Sequence, residues 1–302
     1  MRQYLPLPTA FGGNIAASGM ATNKVPRNRR VHRIDLVYKT NAAQATIEAD
    51  LTQIRLKVNS KVVRTFSATE ANAIALLNGI PFTAGILPIL LAEPKRRTPE
   101  GEEYLSWLMY EALAVGDFDI EVDIGGAAAA PTLIAKYEFD FEKPFDQVCD
   151  RIGAPGITPT AEQIIAAPRL RRVMHWNRKN VQCAAAFPST GKLAPAEFFP
   201  VLDGHLHRVH AFDPVVTQMD LVDGAGNIIQ SFDTVSLPAR LQQYGMAKVA
   251  NVMSCVVDFT TQLSDGLYMP AYRGLALQFV TSAAATGNQF SVIQEIRKNF
   301  DN

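Results

Sequence analysis

Val216–Gly245 reads VTQMDLVDGAGNIIQSFDTVSLPARLQQYG, and the earlier stretch Leu51–Gly79 reads LTQIRLKVNSKVVRTFSATEANAIALLNG. A shift of 165 positions places Thr52 on Thr217, and one extra residue in the later turn then aligns the two closing glycines. Each stretch begins with alternating apolar and polar residues, which is typical of a half-buried strand. A polar turn, a second short strand and a helix follow in the same order. This repeated order indicates a duplicated domain.

The helix boundaries of the two copies follow the same rules. Ser67 with Glu70 three residues later predicts a capping box, and Asp233 is the equivalent cap in the second copy. Both helices are expected to end at a glycine in the left-handed conformation, Gly79 or Gly245.

Length and composition indicate an ordinary globular protein of two domains. The chain has 302 residues, of which 48% are hydrophobic and 19% charged, and its formal net charge is zero. A neutral chain has no overall field that would attract nucleic acid. Its cysteines, Cys149, Cys183 and Cys255, have no metal or redox spacing, which favours free thiols in a reducing compartment.

Two targeting segments are considered and excluded. Met1–Gly19 lacks the continuous apolar core of a secretory signal. Ala71–Ala92 is long and nearly uncharged, but glycines and prolines interrupt it, and its first half aligns with the polar Leu237–Gly245. We therefore predict a segment that does not span a membrane.

The N-terminal region is basic. Six cations precede the first acidic residue, Asp35: Arg2, Lys24, Arg27, Arg29, Arg30 and Arg33. They fit either a flexible, solvated arm or an arm that lies on an anionic surface such as lipid headgroups.

Strand-like segments dominate the remainder. Gly85–Leu91 is apolar on both faces, as in a fully buried strand. A helix is predicted over Thr98–Ala114, with Thr98 as its cap, and it has no counterpart in the second half. Phe145–Arg172, with a short helical Thr160–Ala167, is predicted to connect the domains.

Many short strands without a βαβ rhythm predict an all-β protein. We expect two tandem eight-stranded jelly-roll β-sandwiches with short helices in the connecting loops. The predicted parts are an arm at 1–30, a first jelly roll at 31–145, a linker at 146–172 and a second jelly roll at 173–302.

Histidines give the best candidate for a metal site. On a regular strand, His205 and His207 would share one face, while His210 would point the other way. Cupin-type jelly-roll enzymes use such a pair, but they also need a glutamate at short spacing, which this chain lacks. A hydrogen-bonded structural pair is the simpler interpretation.

Acidic residues alternate along one predicted strand: Asp117, Asp119, Glu121 and Asp123. They could bind a hard cation such as calcium, or form a solvated face opposed by Lys136 across a hairpin. The solvated face is favoured, because one strand does not specify the ligand geometry of calcium. We find no motif for nucleophilic catalysis or phosphate binding, and we predict that the protein is not an enzyme.

The chain resembles the double jelly-roll major capsid proteins of tailless, icosahedral bacteriophages with an internal membrane, of the tectivirus and corticovirus type. The tandem jelly rolls, the basic arm and the insertion carry this resemblance, together with the stretch from Gly85 through Arg96, Arg97 and Thr98 to Trp107. It implies a structural coat protein of the virion capsid that is assembled in the host cytoplasm.

The resemblance also implies partners. Three chains would form a pseudo-hexagonal homotrimer that contacts neighbouring capsomers, a vertex (penton) protein and the internal lipid membrane or its proteins, with no direct contact to nucleic acid. The basic arm would face the membrane, and Arg96, Arg97 and Trp107 would lie between subunits. No cofactor is expected apart from the calcium considered above. The alternative is a bicupin-like or glycan-processing metalloenzyme that uses His205 and His207.

Overall fold

The computed structural model describes residues 3–4, 9–26, 29–92, 107–108, 117–140, 172–195, 203–247, 255–259 and 266–299. The chain forms two compact units. Unit 1 comprises Met1–Ala75, Phe82–Met174 and Asn299–Asn302, and unit 2 comprises Leu76–Pro81 and His175–Lys298. Most of the predicted linker, including the short helix Thr160–Ala167, lies outside the described residues.

Strands make up most of the described chain. In its first half they are β1 (Gln3–Tyr4), β2 (Thr9–Ala10), β3 (Gly12–Gly13), β4 (Met20–Lys24), β5 (Arg30–Tyr38), β6 (Leu51–Val58), β7 (Lys61–Phe66), β8 (Ile86–Leu90), β9 (Trp107–Leu108), β10 (Phe118–Ile124) and β11 (Leu133–Asp140). In its second half they are β12 (Arg172–Gln182), β13 (His205–Phe212), β14 (Val216–Val222), β15 (Ile228–Asp233), β16 (Cys255–Asp258), β17 (Leu267–Tyr268), β18 (Ala276–Thr281) and β19 (Gln289–Asn299).

Three α-helices lie in the described residues: α1 (Gln44–Asp50), α2 (Ala68–Leu77) and α3 (Ser236–Gln243). Two short 3-10 helices lie in unit 2, at Met269–Ala271 and Thr286–Asn288. None of the helices among the described residues is both long enough and apolar enough to cross a bilayer.

The two units share one pairing scheme. In unit 1, β5 pairs with β11 and β8, and β6 pairs with β7 and β10, all antiparallel. In unit 2, β13 pairs with β19 and β16, and β14 pairs with β15 and β18, again antiparallel. Each strand of unit 1 in this scheme therefore has an equivalent in unit 2. The duplication predicted from two sequence segments extends to the pairing of six strands.

Alternation positions the core of unit 1. Along β10, Phe118, Ile120, Val122 and Ile124 are buried, and the residues between them are half-buried. In the other sheet of unit 1, Ile34 and Leu36 of β5 are buried as well. One face of each strand is thus removed from water, which is the dominant favourable term in folding.

The capping box of α2 forms as the sequence predicts, whereas the N-cap residue of α3 is Val235, without a side-chain cap bond, and the predicted cap Asp233 bonds the turn before it. The backbone N–H of Glu70 donates to Ser67 Oγ at 3.2 Å, and the N–H of Ser67 donates to Glu70 Oε2 at 2.8 Å. Asp233 Oδ1 accepts the N–H groups of Val235 and Ser236 at 2.8 and 2.7 Å. Gly79 and Gly245 follow the helices with φ of 79° and 66°.

The structure differs from the predicted arm. Met20–Lys24 is a strand that pairs with β10, and the preceding strands β1 and β2 pair with β11. Hydrogen bonds of the Asn23 side chain connect this region to its neighbours. Its buried Nδ2 donates to the carbonyls of Thr9 and Ala10 at 3.2 and 2.9 Å, and Tyr137 donates its hydroxyl to Asn23 Oδ1 at 2.8 Å. A flexible arm over all of 1–30 was therefore wrong for the described residues 9–26.

The predicted helix over Thr98–Ala114 is also wrong where it is described. Trp107 and Leu108 form β9, which pairs with Val31 and Arg30 of β5. The rest of that segment, with Arg96 and Arg97, lies outside the described residues.

Candidate assembly surfaces

One end of unit 1 gathers basic residues. Lys24 Nζ lies 3.4 Å from Asp117 Oδ1, and its side chain is 77% exposed. The turn after β6 reaches the same end, because the N–H of Asn59 donates to the carbonyl of Asp117 at 2.9 Å. The next residue but one is the exposed Lys61. We call this set, with Arg29 at the start of β5, the basic end.

The remaining predicted arm residues take different places. Arg29 stacks on Phe139, with its guanidinium carbon 4.5 Å from the ring centroid. Arg33 Nε donates to Asp35 Oδ1 at 2.6 Å, so this cation is held on the sheet. Arg30 lies in β5 through its backbone, while Arg2 and Arg27 lie outside the described residues.

Twin positions at this end of each unit expose an apolar side chain. Val62 is 47% exposed at the beginning of β7, and its equivalent Ile228 is 54% exposed at the beginning of β15. The sequence alignment pairs the two residues, but their exposure could be seen only in the structure. The position is thus apolar and exposed in both units.

The histidines do not form the predicted pair. The register between β13 and β19 shifts between Leu206 and Arg208, so His207 sits in a β-bulge and is fully buried. His205 instead packs on Tyr268, with ring centroids 5.1 Å apart. A bulge breaks the two-residue alternation on which the shared face depended.

His210 belongs to a buried polar cluster in unit 2. Its Nε2 lies 2.9 Å from Glu295 Oε1, and Arg208 contacts Glu295 at 3.6 Å and Asp258 at 2.9 Å. Buried charges are normally paired in this way, because an unpaired one costs several kcal/mol. Nowhere in the described residues do three or more His, Cys, Asp or Glu side chains form a group that could hold a metal ion.

The acidic alternation on β10 forms ion pairs with the neighbouring strand β6. Arg55 donates to both oxygens of Asp123, at 2.8 and 2.7 Å, and to Glu121 at 3.0 Å. Lys57 also contacts Glu121. Burial raises the pKa of Glu121, but the bonds from Lys57 and Arg55 outweigh it, so the pKa lies below its ordinary value. Glu121 and Asp123 thus face cations of the neighbouring strand instead of solvent alone, whereas the calcium site stays a prediction.

The predicted opposition to Lys136 is wrong. β10 pairs with β6 and β4, whereas β11, which contains Lys136, pairs with β5 and places that residue opposite Asp35. Strands that follow each other in sequence here belong to different sheets, so they do not form a hairpin.

The twin helices differ in exposure. In α2 every described residue except Thr69 and Leu76 is buried. In α3 only Leu237 and Leu241 are buried. The alignment indicates this difference, because the aligned positions of α3 are more polar: Ile74 is replaced by Arg240, and Leu76 and Leu77 are replaced by Gln242 and Gln243.

The first half of the chain matches a family of known proteins. Residues 6–139 match the family model described as the viral coat protein P2 N-terminal domain. This part of the chain is therefore similar to that coat protein domain. The match covers the basic end, β4 and the strand pairs of unit 1. The search of curated proteins found no significant match.

Solved structures share the fold over nearly the whole chain. The major capsid protein P2 from bacteriophage PM2 is 16% identical, with a TM-score of 0.71, and the match covers 99% of this chain and 98% of that one. The structure of Sulfolobus turreted icosahedral virus contains a chain that is 13% identical, with a TM-score of 0.64 and coverage of 99% and 90%. A chain of the PBCV-1 virus capsid is 11% identical, with a TM-score of 0.58, and the match covers 98% of this chain and 93% of that one.

The chain thus has the all-β double jelly-roll fold. The matched domain belongs to a viral coat protein and the structural neighbours are capsid proteins, and none of them supports the metalloenzyme alternative. The predicted family resemblance is confirmed. Surfaces therefore matter here more than any single pocket.

Proposed function

We propose that this chain is a major capsid protein that assembles as a homotrimer, in which six similar jelly rolls form a pseudo-hexagonal tile of an icosahedral shell. The observation that carries the proposal is the shared pairing scheme of the two units. A duplicated unit lets three chains present six similar edges, and a rotational arrangement closes without leaving an unpaired surface. Within the shell, the tile would contact neighbouring capsomers and, at the vertices, a separate penton protein.

The shell would surround a lipid membrane and be assembled in the host cytoplasm. The basic end of unit 1 supports the membrane contact, since Lys24 and Lys61 are exposed there beside the apolar Val62. Cations near an anionic bilayer are each worth about 1 kcal/mol, and an exposed apolar side chain adds contact with the interface. The neutral net charge supports a tile without direct contact to nucleic acid.

Sizing of the purified chain tests the trimer. Light scattering should give three times the 33.0 kDa mass of the chain, and negative-stain electron microscopy should show a hexagonal outline. A monomer at all concentrations up to those of capsid assembly would contradict the proposal.

A further inference from the structure

An open surface cavity lies at one end of unit 2. Its volume is about 360 Å³, and it is lined by residues 223–225 of the turn between β14 and β15 and by residues 271–274 of the loop before β18. All of these residues belong to unit 2. The turn is the twin of the turn after β6, so the cavity occupies the end of unit 2 that corresponds to the basic end of unit 1.

The walls of the cavity are held together without a ligand. The N–H of Gly224 donates to the carbonyl of Arg273 at 2.7 Å, and a Cβ atom at Gly274 would lie only 2.9 Å from Gly224 Cα. Only glycine allows the two loops to approach this closely. Within the turn, Asp223 Oδ1 accepts the N–H of Asn227 at 2.8 Å. A cavity that is formed in advance binds a ligand without the cost of ordering its walls.

Two opposite charges line this cavity without neutralising each other. Asn227 Nδ2 donates to Asp223 Oδ2 at 2.9 Å. The bonds from the side chain and the backbone of Asn227 hold the pKa of Asp223 below its ordinary value, so this carboxylate is ionised at neutral pH. Arg273 is exposed, and neither its guanidinium nor the Asp223 carboxylate forms an ion pair within the described chain. A ligand that carries both signs of charge would satisfy both groups at once.

Apolar surface lies beside these charges. Tyr272 lines the same cavity, and Ile228, which directly follows the turn, is 54% exposed. In unit 1 its twin Val62 has the same place next to Lys61. An exposed apolar side chain beside polar groups suits a membrane interface, where headgroups meet the acyl chains.

We propose that this cavity is a headgroup pocket, which binds the phosphoethanolamine headgroup of a phospholipid. Arg273 pairs with the phosphate, because the guanidinium fork matches phosphate oxygens. Asp223 accepts the N–H groups of the ammonium, and Ile228 enters the interface beside them. This inference rests on the proposed function, because it concerns the end of the fold that is proposed to face lipid in unit 1, and it adds a lipid class to that contact.

Other headgroups leave one of the two charges unmatched. Phosphatidylglycerol or a free phosphate brings a second anion next to Asp223, where like charges repel. Phosphatidylcholine has no N–H donor for the carboxylate. Quaternary ammonium groups are instead bound by aromatic cages, whereas Tyr272 is the single aromatic residue among the described residues that line this cavity. Phosphoethanolamine carries both signs of charge, as the cavity does.

Flotation with uncharged vesicles tests the pocket on the full-length protein. Vesicles of phosphatidylcholine with and without phosphatidylethanolamine have no net charge, so the lysines of the basic end contribute little to binding. The wild-type protein should bind the vesicles with phosphatidylethanolamine about tenfold more tightly. Arg273→Gln and Asp223→Asn should each remove this preference. The two substitutions change the net charge in opposite directions, so a general electrostatic effect would not weaken both.

Arg240→Gln is the matched control, because it removes one arginine of α3 outside the cavity, and it should keep the preference. Circular dichroism and light scattering check the fold and the assembly of each variant. Equal binding of the wild-type protein to both kinds of vesicle, or a preference that either pocket variant retains, would overturn the headgroup pocket and leave the proposed trimer intact. A monomeric wild-type protein that shows the preference would contradict the trimer and support the pocket.

Competition on the wild-type protein does not depend on the fold of any variant. Glycerophosphoethanolamine, the soluble headgroup, should displace the protein from these vesicles, whereas the equally neutral glycerophosphocholine should not at the same concentration. A lack of displacement by glycerophosphoethanolamine would mean that the preference arises from bilayer packing, which would overturn the pocket. Calorimetric binding of glycerophosphoethanolamine without any preference between the vesicles would assign the site to a free phosphoethanolamine compound and overturn the lipid as its ligand.

Discussion

Single residues carry the differences between the two units. Arg55 in unit 1 is aligned with Asp220 in unit 2, and both are ion-paired, although with opposite charge. Asp220 is fully buried and accepts bonds from Lys192, Ser231 and Gln218. The same backbone position thus carries a cation in one unit and a buried anion in the other.

Asp220 should make the stability of unit 2 depend on pH. Burial raises its pKa, but the bonds from Gln218, Lys192 and Ser231 outweigh it, so the pKa lies below the ordinary value of 3.8. A depressed pKa in the folded state adds stability above about pH 4 that is lost as the pH falls through the folded value. Asp220→Asn should therefore lower the free energy of unfolding at pH 7 by about 2 kcal/mol and lose less on acidification.

Urea unfolding at pH 7 and at pH 3 measures both effects. Ser231→Ala, which removes one donor and keeps the ion pair with Lys192, is the matched control and should retain most of the pH dependence. An Asp220→Asn variant whose stability falls with acid as steeply as that of the wild type would contradict the assignment.

At the scale of elements, the duplicated strand–turn–strand–helix motif is the part of the chain whose local structure the sequence predicts best. Its caps depend only on neighbouring residues, which is why Ser67 and Glu70 could be predicted to bond each other from the sequence. We expect Ser67→Ala to lower the free energy of unfolding by about 1 kcal/mol, because Glu70 loses an acceptor for its N–H. Thermal unfolding measures the change, with Thr69→Ala in the same turn as a control that should have little effect.

Pairing between distant segments could not be predicted in the same way. Met20–Lys24 has a weak alternation, and its partner β10 lies far along the chain, so we predicted an arm where a strand exists. Alternation placed Asp119, Glu121 and Asp123 on one face but could not identify β6 as their neighbour. The bulge at His207 could not be predicted from the sequence either, because no local residue type requires it. Local periodicity and capping were predictable, whereas sheet order and register depend on the whole fold.

At the scale of the whole molecule, the duplicated fold is the feature that both units retain and on which the proposed capsid function depends. Charge distinguishes one surface from the others, because the basic end of unit 1 is proposed to face lipid. Deletion of residues 1–30 would be a poor test of the lipid contact, because it also removes β4 from its sheet.

Charge substitutions test the lipid contact without removing a strand. Lys24→Gln with Lys61→Gln should weaken binding of the trimer to vesicles that contain phosphatidylglycerol by about tenfold or more, since each cation near the surface contributes about 1 kcal/mol. Vesicle flotation at low and at physiological salt measures this. The wild-type affinity should fall with salt, because the screening length shortens to about 8 Å at 0.15 M.

A control with the same change in net charge separates a local contact from a global effect. Ala129 and Thr132 are exposed in the loop between β10 and β11, at the opposite end of unit 1 from Lys24. Ala129→Glu with Thr132→Glu lowers the net charge by two, as the lysine pair does, and should leave vesicle binding unchanged. Equal loss of binding in both double variants would mean that net charge alone governs adsorption. That result would contradict a specific contact between the basic end and the membrane.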